Sequence, residues 1–278
     1  MTESQITQAS EGLSSPSANN AASDDQVVAI TGGGTGIGRA AAELFLAGGA
    51  RVVLNGRRLE VLEETARALD PSGERVAVVA GDIARRETAE ALVATAVDRF
   101  GGLDVLVNNA GVFKPTPFLE HGEDDVEHYL GIILKGTFFA SQAAAPALRA
   151  RGGGAIVNVG SMWAEEAIGD TPSSAYSAAK AGVHALTRNL AIELADAGIR
   201  VNTVAPAVVE TPVYETFLTP EQAAEVLPSF HGLHPLGRNG QPEDVARAVV
   251  FLAGQDAAWI TGAVLPVDGG VLAGRPAS

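Results

Sequence analysis

From residue 26 onward, short β-branched runs alternate with longer stretches in which apolar positions recur every three or four residues. The first kind predicts strands and the second amphipathic helices. Strands are expected over 26–31, 51–55, 75–80, 103–108, 155–160, 199–205 and 263–267. Between them, 37–47, 59–69, 85–100, 124–149, 174–195 and 242–252 carry helical spacing and helix-start residues. Strands apolar on both faces need helices above and below, which is the condition of a parallel sheet built from βαβ units. The pattern therefore predicts an α/β fold: one domain on a doubly wound seven-stranded parallel sheet, a Rossmann fold. Its ligand crevice lies beyond the carboxyl ends of the strands, so chemistry is sought in the loops there.

Two segments fall outside that rhythm. Residues 1–25 are rich in Ser, Ala, Asn, Gln and acids without periodicity, and are expected to be a disordered extension preceding a domain at 26–278. The connection 206–238 is long and proline-bearing, with a helical patch near 221–226 and Tyr214, Phe217, His231 and His234. Ordered loops of that length tend to be lids, so it is expected to close over substrate.

Composition narrows the function. The 278-residue chain has no cysteine, which excludes disulfides, thiolate chemistry and cysteine-held metal and fits a reducing, cytoplasmic setting. A formal charge of −14 argues against nucleic acid or an anionic membrane as the main partner, because both need a basic face. No apolar run approaches the roughly 20 residues of a membrane helix. The five histidines show no ligand spacing, so no metal is expected.

Anion binding must then be local, and the first strand-to-helix turn offers it. Gly32, Gly33, Gly34, Thr35, Gly36, Ile37 and Gly38 join the first strand to the first helix. Missing Cβ atoms let the backbone approach a pyrophosphate, and the helix N-terminus adds amide donors and positive partial charge. After the second strand, where an NAD enzyme usually carries a ribose-binding acid, the chain has Gly56 followed by Arg57 and Arg58. A guanidinium there can pair with the 2′-phosphate of NADP. The alternative is a solvated pair of arginines, but cations at a helix start oppose its dipole.

Further along, Tyr176 and Lys180 stand four residues apart at the start of a helix and so share a face. Hydride transfer to a ketone leaves charge on oxygen and needs a proton donor. A phenol whose pKa is about 10 needs nearby positive charge to serve both directions at neutral pH. Lys180 can supply it, and Ser161, ending the fifth strand, can donate a bond that polarises the carbonyl.

Taken together these motifs resemble the short-chain dehydrogenase/reductase family, and the resemblance runs from residue 26 to about 274. It implies Tyr176 as general acid/base, Lys180 lowering its pKa and holding the nicotinamide ribose, and Ser161 orienting substrate. It also implies adenine contacts from Asp82 with Ile83, a cofactor-side support from Asn109, Ala110 and Gly111, and nicotinamide contacts from Pro206, Val209 and Thr211. The interval from Ser161 to Tyr176 exceeds the family's usual one, which places Glu165, Glu166 and Ile168 in an enlarged substrate loop. Ile133 stands where the family has an Asn, so a proton relay would rest on the main-chain carbonyl at 133, freed if the helix kinks there. The resemblance further implies a homotetramer joined through the Ala-rich helix 139–148 and the Tyr176 helix.

The expected activity is NADPH-dependent hydride transfer with a small to medium ketone or secondary alcohol. Met162, Trp163, Ile168, Val208 and Phe217 would line an apolar pocket. A sugar, steroid or cyclic alcohol dehydrogenase, or an NADP-binding sensor that has lost turnover, are the other readings.

Overall fold

The computed structural model describes residues 26–274; the extension expected at 1–25 lies outside the described residues. Seven strands, β1 (Val27–Thr31), β2 (Arg51–Gly56), β3 (Val76–Ala80), β4 (Val105–Asn108), β5 (Gly154–Val159), β6 (Ile199–Pro206) and β7 (Val264–Val267), form one parallel sheet in the order β3-β2-β1-β4-β5-β6-β7. The order reverses at β1, so β1 and β4 diverge to opposite halves and leave a crevice above their carboxyl ends. This is the doubly wound single domain the hydrophobic pattern calls for.

Helices α1 (Gly36–Ala47), α2 (Leu59–Leu69), α3 (Arg86–Phe100), α4 (Glu123–Tyr129), α5 (Gly136–Ala150), α6 (Ser174–Glu193), α7 (Pro220–Val226) and α8 (Pro242–Ala253) complete the chain. One buried cluster lies between the sheet and α1 with α8, joining Val28, Ile30, Phe45, Val105, Val157 and Val249. The opposite cluster, with Ala29, Val53, Leu92, Leu106, Ile156 and Val201, faces α3 and α5. The alternation of β1 residues between the two clusters is the period-2 geometry of a strand buried on both faces.

One departure matters for the site. The single helix expected over 124–149 is interrupted, because Leu130–Lys135 form a turn of π-helix between α4 and α5. Widening the turn loosens the backbone ladder, and the Thr137 hydroxyl donates a 2.6 Å bond to the Ile133 carbonyl. The ladder is therefore loosened at Ile133, as a relay through its carbonyl would need, but that carbonyl accepts from Thr137. The Ile133 side chain is nearly sealed, packed with Tyr129, Ala179 and Val183 against α6. Among the described residues no helix is long and apolar enough to cross a membrane.

Candidate active site

The glycine turn is shaped by close approach. Gly32 has φ +64°, and a Cβ there would stand 2.9 Å from the Ala110 Cα; Gly36 has φ +52° and faces Thr211. A methyl on Gly38 would overlap the Gly32 carbonyl, so this glycine is where α1 meets the turn. Asn109 locks the turn from β4: its Nδ2 donates to the carbonyls of Thr31 and Gly32, both at 3.0 Å. In return the Thr31 hydroxyl accepts from the main-chain N–H groups of Asn109 and Ala110. Asn109 and Ala110 thus brace the turn and hold it open.

A continuous cleft runs from there across the carboxyl ends of the strands. One end is lined by Gly34, Arg57, Arg58, Asp82, Ile83 and Gly111. The other end, a cleft of about 520 Å³, includes Ile37, Tyr176, Lys180, Pro206, Val209 and Thr211. Of the residues expected to bind cofactor or act on substrate, only Gly38 and Ser161 do not line the cleft wall. Gly38 acts through packing, and Ser161 is buried just beneath. Arg57 and Arg58 are exposed at the mouth, and neither has a carboxylate partner among the described residues. Asp82 accepts from the Ala84 N–H at 3.0 Å, so it also fixes the turn that presents Ile83. A backbone cradle that Cβ atoms would fill, with two free guanidiniums at one end, fits a phosphorylated dinucleotide.

Ser161, Tyr176 and Lys180 converge at the other end. Lys180 is buried and its Nζ donates 2.6 Å to the Val159 carbonyl, which aims the ammonium beneath the cleft floor. The Nζ lies 5.8 Å from the centre of the Tyr176 ring. Burial brings Lys180 down to about 8. Burial also pushes the Tyr176 phenol up to about 12, outweighing the opposing hydrogen bond from Ser161. Desolvation dominates, and Tyr176 is a protonated phenol at neutral pH. The Ser161 Oγ accepts from the Trp163 N–H at 3.2 Å, which leaves its proton free to turn toward Tyr176.

The sheet beneath is braced by a polar chain that starts at Asn108, next to the expected cofactor-side support, and reaches partners no local pattern pointed to. Asn108 Nδ2 donates to Ser141 and to Asn158, Asn158 donates to Thr187, and Thr187 meets Thr203 at 2.7 Å. Asn108, Asn158 and Thr203 are register partners on β4, β5 and β6, so the chain crosses three strands just below Ser161. Only pairing in space reveals it.

Aromatic rings wall the substrate end. Phe113, not singled out in the sequence, has its ring centre 5.0 Å from Tyr176, 6.0 Å from Trp163, 6.1 Å from Phe217 and 6.4 Å from Tyr214. Met162, Trp163 and Val208 form a buried cluster behind it, with Ile168 and Tyr214 packed on it; of the five residues expected to line the pocket, only Trp163 stands on the cleft wall, and Met162, Ile168, Val208 and Phe217 pack behind or beside it. Tyr214 and Phe217 come from the connection 206–238, which contributes α7 and two 3₁₀ turns. His234, on the same connection, is 3% exposed, with Nδ1 2.9 Å from the Phe230 carbonyl.

A glycine cradle, a cleft for a dinucleotide and a Ser–Tyr–Lys cluster on a doubly wound sheet define a nicotinamide-dependent oxidoreductase. The sequence model described as enoyl-(acyl carrier protein) reductase matches residues 32–272. The chain is 41% identical over 252 residues to cis-4-hydroxycyclohexanecarboxylate dehydrogenase of Sinomonas cyclohexanicum, covering 90% of this chain and 97% of that one. It is 40% identical over 250 residues to L-rhamnose 1-dehydrogenase (NAD(P)(+)) of Sphingomonas sp. strain SKA58, covering 89% and 96%. Among solved structures, a short-chain dehydrogenase/reductase, glucose/ribitol dehydrogenase, from Brucella melitensis superposes with TM-score 0.80 at 35% identity, covering 90% and 97%. This chain belongs to the short-chain dehydrogenase/reductase family.

Proposed function

We propose that the protein is an NADP(H)-linked oxidoreductase interconverting an uncharged, apolar, ring-sized secondary alcohol and its ketone. The observation that carries this reading is the aromatic wall: four rings surround Phe113, and one of them is Tyr176 itself. Flat apolar faces suit an alicyclic ring, since each polar hydroxyl of a sugar would need a partner there. Among the described residues the cations lining the cleft are Lys180 and the Arg57–Arg58 pair, while Glu215 stands at the substrate end, so a substrate carboxylate finds repulsion. Arg57 and Arg58, after a glycine rather than an acid, support NADP over NAD.

The bound nicotinamide supplies or accepts the hydride. The chain's own groups manage the oxygen. In reduction, the Ser161 hydroxyl donates to the carbonyl oxygen and the protonated Tyr176 phenol delivers the proton as charge develops. In oxidation the phenolate takes the alcohol proton, and Lys180, held on the Val159 carbonyl, supplies the positive charge that favours it. The same reading includes a homotetramer, for which Phe138 on α5 and Ile192 on α6 expose 44% and 79% of their surfaces.

Steady-state assays with cyclohexanol, L-rhamnose and cis-4-hydroxycyclohexanecarboxylate, each with NADP⁺ and NAD⁺, test the reading. The neutral ring with NADP⁺ is expected to give a kcat/KM at least about tenfold above the others. Preference for the sugar or the carboxylate overturns the substrate assignment, and preference for NAD⁺ overturns the cofactor assignment.

A further inference from the structure

His184 is a buried imidazole with no part in the proton transfer described above, yet it touches the reacting serine. It lies one turn after Lys180 on α6 and is 3% exposed. Its Nε2 is 3.4 Å from the Ser161 main-chain nitrogen, which donates to it. Its Nδ1 is 3.4 Å from Glu165 Oε1. Because Nε2 accepts, the ring proton of the neutral tautomer sits on Nδ1 and points at Glu165. The space is made by Gly160, where a methyl group would overlap the His184 ring and the Thr203 methyl.

Glu165 belongs to the extended loop between Ser161 and Ser174 and is solvent-accessible. Ser161 is thus held at both ends of its backbone-to-hydroxyl reach: Trp163 fixes the oxygen and His184 fixes the amide. The ring is kept neutral first by burial, then by the Lys180 and Arg188 charges flanking it on α6, so it remains an acceptor at neutral pH. Glu165 is the carboxylate that faces it.

We propose that His184 is a positioning residue for Ser161, relaying the conformation of the substrate loop through Glu165 to the main chain that aims the serine hydroxyl. This rests on the reading of Ser161 as the carbonyl-orienting group. A ring that only filled space would serve equally as phenylalanine; an acceptor would not.

Four variants, His184→Phe, His184→Gln, Glu165→Gln and Ser161→Ala, with the His184→Phe/Ser161→Ala pair, are compared by kcat, by NADPH dissociation constant and by melting temperature. Expected is a fall in kcat of about tenfold in His184→Phe, the kinetic cost of one lost orienting bond, with NADPH affinity unchanged. His184→Gln, whose amide oxygen reaches the Nε2 position, is expected to recover kcat to within about threefold. Glu165→Gln, on an exposed side chain, is expected to lower kcat by about threefold without lowering the melting temperature. In the Ser161→Ala background the His184→Phe loss is expected to shrink below about twofold.

Folded His184→Phe at near wild-type kcat overturns the proposal, as does a loss of equal size with and without the Ser161 hydroxyl. If His184→Phe does not fold, wild-type kcat in both His184→Gln and Glu165→Gln supports no relay and overturns the proposal, whereas a Glu165→Gln defect at unchanged stability upholds it. If instead Ser161→Ala alone leaves kcat intact, the failure lies in the role given to Ser161 and not in the contact.

Discussion

The Lys180 ammonium donates a 2.6 Å hydrogen bond to the carbonyl of Val159, two residues before Ser161, tying the helix that carries Tyr176 to the strand that carries the serine. One side chain therefore sets the spacing of the whole cluster. Lys180→Met keeps the apolar stem but removes this tie and the buried cation beside the phenol. It is expected to lower kcat by about a hundredfold or more and to weaken NADPH binding, both read by steady-state kinetics and fluorescence titration. Normal affinity would contradict its place beside the cofactor.

Tyr176→Phe removes only the phenol oxygen from a ring packed against Phe113 and Tyr129. The expected outcome is a loss of at least about a thousandfold in kcat, with NADPH affinity within about threefold of wild type. Because burial holds the phenol near 12, the acid form prevails at neutral pH. Alcohol oxidation, which needs phenolate, should accelerate as pH rises from 7 toward 10, and ketone reduction should not. A flat oxidation profile would count against Tyr176 as the base.

Cofactor preference tests the mouth of the cleft. A Cβ at Gly56 would meet the flexible end of Leu62 at 3.3 Å, so an aspartate fits there with little adjustment. Gly56→Asp combined with Arg57→Ser should move the NADPH/NADH ratio of kcat/KM toward NADH by about tenfold to a hundredfold, since a carboxylate repels the 2′-phosphate and accepts from a ribose diol.

Ile133→Asn places an amide in the pocket made by Tyr129, Ala179 and Val183. Thr137 already satisfies the Ile133 carbonyl and the Tyr129 hydroxyl is engaged with Lys114, so the amide enters a mostly apolar pocket. The variant is expected to lose about 2–4 kcal/mol of stability in urea unfolding, while Ile133→Val loses about 1 kcal/mol.

Acid stability depends on His184. Its pKa is about 4 folded against 6.5 in the unfolded chain, so the unfolded state takes up a proton across that interval while the folded state does not. Stability is thus lost as pH falls from 6.5 to 4, by about 3 kcal/mol from this group. Urea midpoints measured at pH 7 and 4.5 should show the fall, and it should flatten in His184→Gln.

The chain by itself determined the parts that rest on local periodicity and local chemistry. Alternating strand and helix patterns are enough for a doubly wound sheet, a glycine turn between β1 and α1 is enough for the dinucleotide cradle, and Tyr176 with Lys180 share a face because four residues make about one helical turn. Tertiary structure decided everything that depends on which distant residues meet. Phe113 carries no motif, yet it centres the aromatic wall because the loops after β4, β5 and β6 converge at one edge of the sheet. His184 reads as an ordinary apolar-face histidine until β5 places Ser161 and Glu165 on either side of its ring. The Tyr176 pKa follows the same rule, since only the folded chain shows that burial outweighs the opposing hydrogen bond from Ser161.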